Sequence, residues 1–93
     1  MNEIIEQYWA RALKITRQYE SGEVNFADLT GLGDEFAASF IEELNDMPEP
    51  IRARYCAGLE TKLSTAIAKN DFDSQAAQAL SELRVSIMRT PIY

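Results

Sequence analysis

Apolar residues return every three or four positions through four long segments of this chain, and any fold has to satisfy that period. It lines side chains along one face of an α-helix and would scatter them over both faces of a strand. In the first segment, Glu3 to Glu20, residues Ile4, Ile5, Tyr8, Trp9, Ala12, Ile15 and Tyr19 share a wide arc, with Arg11, Lys14 and Arg17 opposite. Ser21-Gly22 ends it, because Gly22 supplies the left-handed residue that a helix C-terminus commonly uses. The three bases suit the negative end of the helix dipole. The second segment runs from Asp34 to Met47, with Phe36, Ala37, Phe40, Ile41, Leu44 and Met47 on one face and Glu35, Glu42 and Asp46 in a narrow stripe opposite. Pro48-Glu49-Pro50 enforces a sharp turn into a third helix from about Ile51 to Lys69, whose core face is Ile51, Tyr55, Leu59, Leu63, Ala66 and Ile67. Asn70-Asp71 closes it. A fourth helix opens at Phe72-Asp73, with Asp73 as cap and Phe72 stapled onto Ala77, and carries Ala76, Leu80, Leu83 and Ile87 along one side. Thr90-Pro91 stops it and leaves Ile92-Tyr93 as an apolar tail.

No period-2 run of β-branched residues and no internal repeat interrupts this pattern. The expected fold is therefore all-α: a single domain, residues 1–93, forming a four-helix up-down bundle with a short turn or helical turn between helices one and two. The connection from Glu23 to Gly33 holds Val24, Phe26, Leu29 and Leu32, so it should pack back on the bundle, with room for one helical turn from Phe26 to Leu29 before Gly31 and Gly33 break it. The Gly31-Leu32-Gly33 spacing is a turn and not a phosphate loop, since no strand precedes it and acids follow. Arg52 and Arg84 interrupt apolar faces, where an arginine snorkels or pairs with a carboxylate of a neighbouring helix.

Chemistry is constrained mainly by what is missing. The sequence has no histidine, which removes the commonest general base, the Ser-His and Cys-His pairs and most zinc and di-iron patterns. Cys56 is the only cysteine and sits on the apolar arc of helix three, as an inert buried thiol would, and it forbids an intrachain disulfide. Asp71-Phe72-Asp73 begins like a calcium loop, but Ala76 stands where that loop requires glycine. Glu42 and Asp46 offer paired carboxylates without a second, differently tuned environment. No enzyme activity, metal or cofactor is expected. A net charge of −6 disfavours nucleic acid and anionic membrane, and favours a basic protein partner. No apolar run reaches the length of a membrane span, and Met1-Asn2-Glu3 does not start a basic, apolar signal segment, so a cytoplasmic location is expected.

Charge is unevenly distributed. Between Glu20 and Glu49 lie nine of the fifteen acidic residues (Glu20, Glu23, Asp28, Asp34, Glu35, Glu42, Glu43, Asp46, Glu49) and no lysine or arginine. A run of this kind is commonly a solvated face that keeps a small bundle soluble. Here, however, Glu42 and Asp46 are like charges at i, i+4, and Glu42, Glu43 and Asp46 fall in the last turns of their helix, where the dipole prefers cations. No base is interleaved to offset the repulsion, and local rules broken together are where function is expected.

At Tyr19-Glu20-Ser21-Gly22-Glu23-Val24-Asn25-Phe26 the chain resembles the helical immunity proteins of nuclease bacteriocins and related contact-dependent bacterial toxins. In the colicin D-type group a first helix likewise ends in a Gly-Glu-Ile/Val turn followed by an aromatic residue. The likeness covers roughly residues 13–29. It implies a small acidic helical domain that binds the basic active-site face of a toxin without a cofactor. The expected function is therefore an acidic binding protein that blocks a basic partner. Glu35, Glu42, Glu43, Asp46 and Glu49 would be at the contact, with Asp34, Glu23 and Asp28 at its margin. The alternative is a structural or regulatory helical subunit that self-associates as a homodimer through apolar faces, its acids only solubilising.

Overall fold

A computed structural model describes residues 3–70 and 74–89 and shows four helices: α1 (Glu3–Glu20), α2 (Phe26–Glu43), α3 (Glu49–Ala68) and α4 (Gln75–Arg89). They form an all-α up-down bundle with a Cα radius of gyration of 12.8 Å. The direction of each helix follows from its contacts. Tyr8 meets Phe36 and Phe40 while Tyr19 meets Phe26, so α2 runs back along α1. Ile5 approaches Gly58 and Trp9 approaches Lys62, so α3 runs parallel to α1. Thr30 reaches Glu82 and Asp34 reaches Arg89, so α4 runs parallel to α2. Both α1 and α4 pack on all three other helices, whereas α2 and α3, although consecutive, lie across the bundle and touch little. The turn at Leu44–Pro48 therefore crosses the end of the bundle instead of joining neighbours.

One apolar cluster fills the interior. It takes Ile5, Tyr8, Ala12 and Ile15 from α1, Leu29, Phe36, Ala37 and Phe40 from α2, Leu44 from the turn, Cys56, Leu59 and Leu63 from α3, and Leu80, Leu83 and Ile87 from α4. Removing each large side chain from water stabilises by about 1.5–3 kcal/mol, which is why the 3.6-residue stripe dictates docking. Phe40 and Leu44 are fully buried, as their central position on the stripe requires. Gly22 adopts φ +85°, and beyond it the Val24 N–H donates back to the Gln18 carbonyl, ending α1 as expected.

The connection between α1 and α2 is shorter than the sequence suggests. Helix α2 starts at Phe26, not Asp34, and neither Gly31 nor Gly33 breaks it. Asn25 caps it, its side-chain oxygen accepting the Asp28 N–H at 2.8 Å, and Leu29 and Gly33 extend the buried stripe toward the helix N-terminus. A glycine inside a helix costs about 1 kcal/mol. At Gly33 a Cβ would lie 2.7 Å from the Ser86 hydroxyl oxygen on α4, so any larger residue there forces that side chain to shift. At its other end α2 stops at Glu43 instead of Met47, and Leu44 to Met47 form a turn. Helix α3 begins at Glu49, two residues before Ile51, with Pro48 as its cap and Pro50 in the first turn. Ile51 is 40% exposed and is not core. The expected Asp73 cap and Phe72 staple, and the tail at Ile92-Tyr93, lie outside the described residues. Ser74 caps α4, its hydroxyl accepting the Ala77 N–H at 3.1 Å. Ala77 and Ala79, and not Ala76, are the buried alanines of that helix.

Arg84 pairs with Glu60 across α3 and α4 at 3.5 Å, the role expected of it. The Nε atoms of Arg52 and Arg84 are buried without a hydrogen-bond partner among the described residues. Cys56 is buried, and burial pushes its thiol up while the nearby Arg52 opposes the shift, which suits an inert side chain.

Candidate partner-binding site

The eight acidic positions do not form one surface. Glu42, Glu43 and Asp46 come together at the C-terminal end of α2, where with Tyr8 and Ser39 they line a cleft of about 400 Å³. Because α2 ends at Glu43, Asp46 is held in the following turn by the Asn45 and Met47 backbone bonds to Glu42 and Leu44, and Leu44 anchors that turn in the core. The cost of like charges at i, i+4 thus becomes repulsion around a cleft rather than along a helix. All three carboxylates are exposed, and none makes an ion pair among the described residues.

Tyr8 lines the cleft from α1 and is only 3% exposed. Phe36 and Phe40 pack edge-on against its ring, with centroids at 5.7 and 5.1 Å, and the Arg11 guanidinium carbon lies 4.7 Å from the ring centroid. Burial pushes the Tyr8 phenol up from its ordinary value. Arg11 works against that shift, and Glu43 and Glu42 add to it.

The other acids are placed differently. Glu35 faces a separate cleft of about 220 Å³ between α1 and α2, whose lining includes Arg11, Lys14 and Gln18. Asp34 accepts from Arg89 at 2.9 Å and from the Ser86 hydroxyl at 3.4 Å. Glu23 accepts from the Gln18 amide at 2.8 Å, closing the α1–α2 turn. Asp28 lies in the first turn of α2 and Glu49 in the first turn of α3, each where a helix dipole favours an anion. No base is interleaved within this stretch, but Arg89 from α4 pairs with Asp34, and Arg11 and Lys14 from α1 line the cleft that Glu35 shares.

Ser39 and Tyr8 were not expected here. Ser39 is legible in sequence, being three and four residues before Glu42 and Glu43 and hence on their side of the helix. Tyr8 is not, because only the antiparallel pairing of α1 with α2 brings it there. Among the described residues no group of three or more Cys, Asp or Glu side chains is arranged to hold a metal ion, and no helix is long and apolar enough to cross a membrane. No family model matches the chain, and neither does any curated protein or solved structure.

Proposed function

We propose that this protein is a non-enzymatic acidic binding domain that blocks a basic protein partner, in the manner of an immunity protein or antitoxin acting on a nuclease toxin. One observation carries the reading. The three carboxylates of the Tyr8 cleft make no ion pair among the described residues, whereas Asp34 on the same helix pairs with Arg89 of α4. Anionic groups gathered at a helix C-terminus raise the free energy of the isolated fold, and an incoming cation relieves that repulsion. Carboxylates so placed can stand in for the phosphates that a nuclease's arginines and lysines grip, giving fast, salt-sensitive association. Glu42, Glu43 and Asp46 form the centre of the contact, Glu49 and Glu35 its flanks, and Asp34, Glu23 and Asp28 its margin. The reading goes with a cytoplasmic protein of a bacterium.

The test is a binding measurement with a basic partner captured from the native host and identified. Wild-type affinity should fall as ionic strength rises, because screening shortens from ~10 Å at 0.1 M salt to ~3 Å at 1 M. The double variant Glu42→Lys with Asp46→Lys should lose binding while staying folded. Wild-type affinity in that variant, with no dependence on salt, would move the interface elsewhere. A second reading, self-association, is favoured by the exposure of Val85 (42%) and Met88 (58%) one turn apart on α4. Light scattering showing a dimer that Met88→Glu disperses, with binding unaffected by charge reversal in the cleft, would establish it instead.

A further inference from the structure

The seam between α1 and α3 carries a cleft of the opposite character. Ile5 and Gly58 meet so closely that a Cβ on the glycine would lie 2.8 Å from the Ile5 side chain. One turn further along both helices, at Trp9 and Lys62, a cleft of about 300 Å³ opens, lined by Trp9, Thr61, Lys62, Thr65, Ala66 and Lys69. The half-buried Trp9 and Ala66 form its floor, and the other four residues, all exposed, form its rim. The chain holds fifteen acids against nine bases, so a surface cation has an excess of carboxylates to pair with. Yet none of the residues lining this cleft is acidic, and neither Lys62 nor Lys69 makes an ion pair among the described residues. The Lys62 ammonium nitrogen instead lies 5.7 Å from the centre of the Trp9 ring, which holds the charge at the cleft without neutralising it.

We propose that this cleft is a second docking site, independent of the acidic face, whose occupant is a short acidic peptide segment of a partner with an apolar side chain between its carboxylates. Charge complementarity and spacing carry the choice. Lys62 and Lys69 are two turns apart, about 10 Å along α3, and an extended peptide spans that distance in about three residues. Carboxylates at the ends of such a segment reach the two ammonium groups, while the apolar side chain between them covers Trp9 and Ala66 and removes them from water. A nucleic acid is the rival occupant, because bases stack on an indole, but a net charge of −6 opposes a polyanion more than a segment with few charges. Tyr8 and Trp9 are consecutive on α1, one lining a cleft with α2 residues and the other a cleft with α3 residues, so filling one site leaves the other open.

Trp9 is the only tryptophan, and its fluorescence reads the site directly. The full chain is titrated at low salt with the blocked peptide Glu-Glu-Leu-Glu-Glu, with the same peptide carrying serine in place of leucine, and with hexathymidylate. The leucine peptide should give a saturable change that weakens as salt is added, and the serine peptide should bind several-fold more weakly. Lys62→Glu and Lys69→Glu should each lower affinity about tenfold, and Arg54→Glu, the same change of charge on α3 outside the cleft, less than about twofold. Thermal melts check that the variants stay folded, as substitutions at exposed positions should. No saturable change in the wild type overturns the proposal. So does an Arg54→Glu effect as large as that of Lys62→Glu, equal binding of the serine peptide, or tighter binding of hexathymidylate than of the leucine peptide.

Discussion

Asp34 and Glu42 stand two turns apart on one helix with the same charge and similar exposure, yet their surroundings are opposite. Asp34 is gripped by Arg89 and Ser86 of α4, whereas Glu42 looks onto a cleft whose other carboxylates, Glu43 and Asp46, repel it. In the middle of α2 Asp34 pairs with Arg89 of α4, whereas at its C-terminal end Glu42 and Glu43 make no ion pair among the described residues. The acid count of residues 20–49 therefore overstates the unpaired charge on that surface, because a base far away in sequence pairs with part of it. What remains uncancelled marks the candidate site.

That comparison can be broken most forcefully through Leu44, the fully buried residue that holds the acidic turn against the core. Leu44→Ala should destabilise the domain by about 2–5 kcal/mol, read from the denaturant midpoint, because it empties a packed site. An unchanged midpoint would mean the turn is not docked. The double change Glu42→Lys with Asp46→Lys comes next. Affinity for the basic partner should fall about 100-fold, roughly 2.7 kcal/mol, while thermal stability stays near native because cations suit that helix end.

The two glycines sharpen the contrast from the other half of α2. A Cβ at Gly33 would meet the Ser86 side chain, whereas one at Gly31 would have nothing within 4 Å. Gly33→Ala should therefore destabilise by about 1–2 kcal/mol, overpacking outweighing the gain in helix propensity, and Gly31→Ala should stabilise by up to ~1 kcal/mol. If both substitutions stabilise, α2 and α4 are farther apart than the Thr30–Glu82 and Asp34–Arg89 contacts require. The smallest effects compare the two acids directly. Asp34→Asn removes an exposed ion pair and should cost a few tenths of a kcal/mol, while Glu42→Gln relieves repulsion and should raise stability by a similar amount. Equal signs in thermal melts would erase the distinction drawn here.

Periodicity alone was enough for the number of helices, their apolar faces and the burial of Phe40, Leu44, Leu59 and Leu83, because a side chain's place on a helix depends only on its spacing from its neighbours. The glycine that ends α1 was legible for the same local reason. Gly31 and Gly33 misled because the same residue that ends a helix in isolation also permits two helices to approach closely, and only the partner surface, here Ser86, decides between these uses. The acidic composition of residues 20–49 was visible from the start, as were Glu42, Glu43 and Asp46 near one another. Their separation from Asp34 and Glu35 and the approach of Tyr8 to them depend on which helices become neighbours. Chain order would place α3 beside α2. The bundle places α1 and α4 there instead, because burying all four apolar stripes in one core is a property of the assembled surfaces and of no single segment.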